Sequence, residues 1–204
     1  MLLATSRALL RKGNRELHPV RLLIDHGSEL SFITEDVVQR AQLTRRAASI
    51  PLLGIGGTYS GRTKGSVSIQ LKSIQDSASH CQIRAFVLPR LTAKLPSFSV
   101  SSPSWPHISG LQLANPDYSI SGPIQVIIDS DNYHAVIRPG LIPGDSSSPT
   151  AQQTIFGWSS VALFQQQIHL FPRTRIIVRR ITTYKTLFQD SGHRRNSLIP
   201  PEQG

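Results

Sequence analysis

One short segment constrains this chain more than any other: residues 22–29 read LLIDHGSE. An apolar run ends there in Asp25, and Gly27 and Ser28 follow within three residues. Glycine lets the backbone bend close beside a carboxylate, where a Cβ would crowd it, and a serine hydroxyl can donate a hydrogen bond to the ionised acid. The pattern predicts a strand that presents one carboxylate on a tight turn, although Asp and Gly are also ordinary turn residues.

The cysteine count and the absence of long apolar runs limit the class of protein. Cys81 is the single cysteine in 204 residues, which excludes an internal disulfide framework and suits a reducing compartment. No apolar run approaches the roughly 20 residues that a membrane-spanning helix needs. We therefore expect an intracellular, cytoplasmic protein without membrane contact.

Positive charge is concentrated at the C-terminal end. Lys and Arg total 22 against 12 acids, a formal charge of +10, and seven of these cations fall within residues 173–195. We therefore divide the chain into a domain at residues 1–170 and a basic C-terminal tail or linker at residues 171–204. The tail permits weak nucleic-acid contact, while its other interpretation is a solvated linker.

Most of the chain before the tail has the alternation or the apolar character of strands. A short helix is predicted after Thr34, because Glu35 and Asp36 favour its positive end and three apolar residues follow at helical spacing. Strands are predicted at residues 1–10, 19–24, 50–57, 65–71, 81–88, 123–128 and within 154–171. A Gly-rich hairpin is predicted at 58–64, a second short helix at 132–137, and irregular chain at 89–122 and 139–150.

Seven pieces of the sequence, taken in order, point to one family. They read LLATSRAL, VRLLIDHGSELSFITEDVVQRAQL, LLGIGG, FVLPRLTAKLP, LQLANPDY, PIQVIIDSDNYHAVI and TAQQTIFGW. Over about residues 2–160, their order and spacing resemble the retropepsin-like aspartic peptidase domain of BEL/Pao-type retrotransposon polyproteins. The resemblance implies a mainly β fold, namely an acid-protease barrel with a flap hairpin and one or two short helices.

The same resemblance implies an aspartic endopeptidase that cleaves extended polypeptides of a retrotransposon polyprotein. Each chain would supply one aspartate, so the enzyme would be a homodimer with an Asp dyad that activates water, and no metal or other cofactor would be needed. The implied catalytic residues are Asp25, Gly27 and Ser28. The implied flap over the substrate is Gly54, Ile55, Gly56 and Gly57.

Three residues depart from the family pattern. His26 stands where a small hydroxyl residue is expected, Asp129 stands where a glycine is expected, and Asn115 replaces an aspartate. We expect the imidazole to weaken dimerisation and the Asp129 carboxylate to crowd the catalytic turn. These departures keep a second hypothesis open, a catalytically decayed module of the same fold that acts in binding, assembly or structure.

Other motifs have weaker interpretations. A second Asp-Ser-Gly triplet at residues 190–192 has no apolar strand before it, which argues against a two-aspartate monomer. Residues 56–63 nearly match a phosphate-binding loop, but Arg62 replaces the lysine and a strand pattern follows. His80 and Cys81 are adjacent without further ligands at zinc spacing, and Cys81 is expected to be a small core residue.

Overall fold

The computed structural model describes residues 3–12, 16–54, 57–99, 105–145 and 148–161. The described residues form eleven strands, two α-helices and a 3₁₀ turn at Pro106–Ile108. The strands are β1 (Thr5–Lys12), β2 (Glu16–Ile24), β3 (Phe32–Thr34), β4 (Pro51–Leu53), β5 (Tyr59–Arg62), β6 (Ser66–Ser73), β7 (His80–Leu88), β8 (Val126–Ile128), β9 (Ile137–Ile142), β10 (Thr150–Thr154) and β11 (Gly157–Val161). The helices are α1 (Glu35–Arg40) and α2 (Ser130–Val136).

Six of these strands close into a barrel in the order β1-β2-β8-β3-β7-β6. Strand β1 pairs antiparallel with β2 and with β6, and β6 continues antiparallel into β7. The short apolar strand β8 lies between β2 and β3, parallel to β2 with Ile24 opposite Ile128. Closure leaves no free edge in the barrel itself.

The barrel interior follows from the two-residue period of its strands. In β6, Val67, Ile69 and Leu71 are buried, while Ser68 between them is exposed. Helix α1 lies against this core through Val37 and Val38, as its sequence predicts. The mainly β class with short helices is therefore confirmed.

Two predicted irregular segments are strands instead. The hairpin predicted at 58–64 is mostly strand β5, which pairs antiparallel with β4. The loop predicted at 139–150 begins within strand β9, which joins β10 and β11 in a three-stranded sheet. Pro139 lies where the β9–β10 register shifts, and a residue without an N–H is tolerated at such an irregularity.

Some of the remaining predictions agree with the structure, and others concern residues outside the described part of the chain. The described parts of 89–122 contain the 3₁₀ turn and isolated bridges, which fits an irregular connection. No helix among the described residues has the length and hydropathy to cross a membrane. The predicted boundary at residue 170, the basic tail and the triplet at 190–192 all lie outside the described residues.

Candidate active site

Asp25 follows directly on strand β2, and its carboxylate is held by the turn that it begins. Its Oδ1 accepts a hydrogen bond from the Gly27 N–H at 2.9 Å, and the Ser28 N–H donates to the Asp25 carbonyl at 3.0 Å. Asp25 is half-buried, so part of the side chain reaches solvent. We call residues 25–28 the site turn.

The absence of a side chain at Gly27 leaves space for the Asp25 carboxylate. A Cβ at position 27 would lie 3.2 Å from the Asp25 Oδ1, which is tighter than ordinary van der Waals contact between carbon and oxygen. The close approach of backbone to carboxylate that the sequence predicts is therefore present, and a side chain here would push the carboxylate away.

Ser28 has a different role from the one that its position suggests. Its side chain is buried, and its hydroxyl donates to the Leu30 carbonyl at 2.8 Å. Because a hydroxyl carries one hydrogen, the predicted bond from Ser28 to the Asp25 carboxylate is wrong in this structure. Ser28 instead fixes the chain as it leaves the site turn.

His26 is exposed at the centre of the site turn, and its ring contacts helix α2. The imidazole meets the Tyr133 ring edge-on, with centroids 5.9 Å apart and an interplanar angle of 63°. This is a favourable geometry for two aromatic rings. The contact lies within one chain, so the imidazole has an intramolecular partner beside Asp25.

Asp129 begins helix α2 and does not act as the sequence predicts. Its Oδ1 accepts from the Asn132 N–H at 3.0 Å and from the Asn132 side-chain amide at 2.7 Å. The residue is buried with extended backbone, as an N-cap should be. The expectation that Asp129 crowds the site turn is therefore wrong, because its carboxylate is engaged by the helix that follows it.

The start of α2 also supports the site turn through backbone bonds. The Asp25 N–H donates to the Ile128 carbonyl at 2.9 Å, and the Ser130 N–H donates to the Ser28 carbonyl at 3.0 Å. Sequence reasoning missed Ser31, whose buried Oγ accepts the Asp129 N–H at 3.2 Å. The signal available in the sequence was a small hydroxyl residue just after the site turn.

Two of the four predicted flap residues, Gly54 and Gly57, lie between the paired strands β4 and β5. The Gly54 N–H donates to the Thr58 carbonyl at 2.7 Å, and the Gly57 N–H donates to the Gly54 carbonyl at 3.0 Å. The other two predicted flap residues, Ile55 and Gly56, lie outside the described residues. The described residues Gly54 and Gly57 thus lie between strands β4 and β5, and their role as a flap stays a prediction.

The base of this hairpin packs on the same side of the barrel as the site turn. Leu52 of β4 belongs to a buried apolar cluster with Leu23, which lies two residues before Asp25. The other buried members of the cluster are Phe32, Phe86, Leu95, Ile124 and Ile127. The cluster links the hairpin to the strand that carries the candidate acid.

Other candidate chemistry is not supported by the described residues. They contain no group of three or more His, Cys, Asp or Glu side chains that could hold a metal ion. Burial raises the pKa of the Cys81 thiol from 9.0 to about 11, which suits an inert core residue rather than a nucleophile. Residues 57–73 continue from strand β5 into strand β6, so the helix that a phosphate-binding loop requires is absent there.

Asn115 is also a structural residue in this arrangement. It is buried, and its side-chain amide donates to the Thr5 Oγ1 at 2.8 Å. This bond ties the connection after the 3₁₀ turn to the first barrel strand.

No family model and no curated protein matches this sequence.

Proposed function

We propose that this chain is an aspartic-type endopeptidase of the retropepsin kind, from a retrotransposon polyprotein, that cleaves extended polypeptides. The observation that carries the proposal is the Asp25 carboxylate, half-exposed at the end of a barrel strand and oriented by the Gly27 N–H. Strand β8 pairs parallel with β2, the strand that leads into this turn. A glycine-rich hairpin shares the adjoining apolar cluster.

The chemistry requires a second carboxylate, and a second copy of the chain would supply it. Two carboxylates a few ångströms apart cannot both ionise easily, so the pair shares one proton over a wide pH range. The ionised member takes a proton from a bound water, which attacks the scissile carbonyl. The protonated member donates to the developing oxyanion, and the two titrate as one unit.

The hairpin and the apolar cluster favour an extended peptide as substrate. An extended backbone can pair with a strand edge, while its alternate side chains enter apolar pockets. Strands β4 and β5 form a separate two-stranded sheet with such edges. Closure of a hairpin over the peptide would exclude water from the reaction.

The decisive experiment is cleavage of a complex peptide library, with cut sites identified by mass spectrometry. The wild-type chain should cut at a consistent set of sites, and Asp25→Asn should reduce cleavage by at least about 10³-fold because it removes the ionisable group. Asp131→Asn is the matched control, since Asp131 is an exposed acid on α2, and it should cleave normally. Cleavage that survives Asp25→Asn would refute the proposal.

The homodimer has its own signature in the same assay. Because each active site would need two chains, specific activity should rise with protein concentration until the dimer saturates. Mixing wild type with excess Asp25→Asn should suppress activity through mixed dimers. Activity per chain that is independent of both treatments would contradict a shared dyad.

A second candidate is the non-catalytic module of the same fold, and the His26 contact favours it. The imidazole occupies the middle of the site turn and packs on Tyr133, which gives position 26 a role in the single chain. Dimers that do not cleave, and that gain cleavage with His26→Ser, would support this candidate over the first.

A further inference from the structure

The junction between strand β8 and helix α2 is bonded to the site turn at both ends of that turn. The Ile128 carbonyl accepts the Asp25 N–H at 2.9 Å, and the Ser130 N–H donates to the Ser28 carbonyl at 3.0 Å. Both bonds join backbone groups. They can therefore hold the turn in one position only as long as the junction itself is held in place.

Ser31 holds the residue between these two contact points. Its hydroxyl oxygen accepts the Asp129 N–H at 3.2 Å, and the two residues are only 1% and 5% exposed. Of the three bonds along the junction, this is the one to which a side chain contributes. Loss of the hydroxyl would leave a buried N–H without its acceptor, which is costly enough to favour a shift of the backbone.

The backbone at Ser31 is fixed by the barrel. The Ser31 carbonyl accepts the Phe86 N–H at 2.8 Å. The next residue, Phe32, is fully buried and lies opposite both Phe86 and Ile127 in the neighbouring strands. The hydroxyl therefore projects from a rigid part of the structure and can serve as a fixed point for the Asp129 N–H.

The Asp129 side chain belongs to a different set of bonds. Its carboxylate accepts from the N–H and the side-chain amide of Asn132 and so joins the junction to α2. Its N–H joins the junction to the chain that enters β3. Removal of the Ser31 hydroxyl would therefore detach the junction from the barrel while the helix cap stays in place.

We propose that Ser31 is a positioning residue for peptide cleavage, an inference that rests on the proposed function. Its hydroxyl fixes the β8–α2 junction and, through the bonds at Ile128 and Ser130, the place of the Asp25 carboxylate. Two carboxylates share one proton only while they are a few ångströms apart. A misplacement of about 1 Å can cost about 100-fold in rate, so a smaller shift in the turn should be measurable.

The test is cleavage by Ser31→Ala over a range of pH, with a peptide that the wild-type chain cuts in the library. The value of kcat should fall about tenfold while KM changes by less than about twofold, because the geometry of the acid changes and peptide binding does not. The pH profile should also narrow, since two carboxylates held further apart couple less and their apparent pKa values approach each other.

Two conservative variants separate the hydroxyl from the size of the side chain. Ser31→Thr keeps the hydroxyl and should restore both kcat and the width of the pH profile. Ser31→Cys keeps a side chain of similar size but offers only a weak acceptor, so it should resemble Ser31→Ala. Wild-type kinetics in Ser31→Cys would show that the hydrogen bond is not what matters and would overturn the inference.

Ser73 provides a matched control away from the site. It is also a buried serine whose hydroxyl oxygen accepts backbone N–H groups, from Gln75 at 3.2 Å and Asp76 at 3.3 Å. The strand register places it level with Val20, about 16 Å before Asp25 along β2. Ser73→Ala should lower the melting temperature but leave kcat and the pH profile unchanged. The same kinetic change in both alanine variants would reduce the role of Ser31 to general stability and overturn the inference.

Amide hydrogen exchange, measured by NMR, distinguishes failure of this inference from failure of the proposed function. In Ser31→Ala, the N–H groups of Asp25, Asp129 and Ser130 should exchange at least about tenfold faster than in wild type, because the junction opens more often. Ser73→Ala should leave their rates unchanged. Faster exchange without cleavage by any form of the chain would refute the peptidase and support Ser31 as the anchor of the turn. Cleavage by wild type, with unchanged kinetics and exchange in Ser31→Ala, would overturn the inference alone.

Discussion

Replacement of Asp129 by alanine should destabilise the protein, although a glycine was expected at this position beside the candidate active site. The Asp129 carboxylate caps helix α2 through the Asn132 N–H at 3.0 Å and accepts from the Asn132 side chain at 2.7 Å. Loss of an N-cap to alanine typically costs about 1 kcal/mol. The second bond adds about 0.5–1 kcal/mol, so we expect a loss of about 1–2 kcal/mol.

Thermal unfolding at neutral pH measures this loss. For a domain of 150–250 residues, 1 kcal/mol shifts the melting temperature by about 2–4 °C, so a loss of about 1–2 kcal/mol should make Asp129→Ala melt about 2–8 °C below wild type. Asp129→Asn should stay close to wild type, because asparagine caps helices about as well as aspartate. The exposed neighbour Asp131 provides the charge-matched control, Asp131→Ala.

Two results would refute this reasoning. If the Asp129 carboxylate crowded the site turn instead of capping α2, Asp129→Gly would raise the melting temperature, whereas the cap predicts no gain. Equal melting of Asp129→Ala and Asp131→Ala would show that the two bonds to Asn132 contribute nothing measurable to stability.

Two further predictions concern the barrel and its first helix. The Arg45 guanidinium donates to Glu35 and lowers the pKa of the Glu35 carboxyl. The stabilisation of the protein by this ion pair should therefore be fully present above the ordinary pKa of 4.5. It should disappear as the pH falls through the lower pKa of the folded state. Denaturant unfolding should accordingly show Glu35→Gln about 0.5–1 kcal/mol less stable than wild type at pH 7, and this difference should shrink as the pH is lowered. A difference that does not shrink would contradict the ion pair. Gly65→Ala should cost about 3 kcal/mol, because φ is +133° and a Cβ would lie 2.9 Å from a backbone carbonyl oxygen. Gly61→Ala, with φ of +117° and open space around its Cβ position, should cost only about 1–2 kcal/mol by the same measurement, and equal losses would show that the contact is harmless.

The barrel could be predicted where each strand carries its own signal. Alternation along β6 and β7 and the unbroken apolar run of β8 (Val126–Ile128) identify strands from local sequence alone. The pair Val37 and Val38 after two acids likewise identified α1. In these segments, local preference and tertiary packing agree, so sequence reasoning succeeds.

Strands β5 and β9 could not be predicted, because their stability comes from contacts that are distant in sequence. Gly61 made β5 look like a turn, yet β5 is held by pairing with β4, whose Leu52 is anchored on the Leu23 cluster. Pro139 and Gly140 led to the prediction of a loop where β9 lies. The strand is stabilised there by the Gln152 side chain, which donates to the Arg138 and Gly140 carbonyls. Tertiary packing overrode propensity in both cases.

The site was predictable in position but not in its supporting bonds. The Asp25–Gly27 contact follows from the spacing of the two residues. The role of Asp129 was misjudged because its carboxylate was treated only as a group that would crowd the turn. Aspartate immediately before a short helical pattern is also an N-cap signal, and the helix predicted at 132–137 would have revealed that cap if it had been extended by two residues.

Support for the site turn comes mainly from backbone groups. An effect of His26 on assembly can therefore be measured separately from an effect on the turn itself. The Asp25 and Ser130 N–H groups donate to the Ile128 and Ser28 carbonyls, and neither bond depends on which side chain occupies position 26. In the proposed homodimer, a substitution at His26 would therefore change what the turn presents to the second chain, while the Asp25 carboxylate would keep its Gly27 donor. It follows that His26→Ser should alter dimer affinity more than it alters the melting temperature. Sedimentation and thermal unfolding of that one variant can thus distinguish a defect in assembly from a defect in the turn.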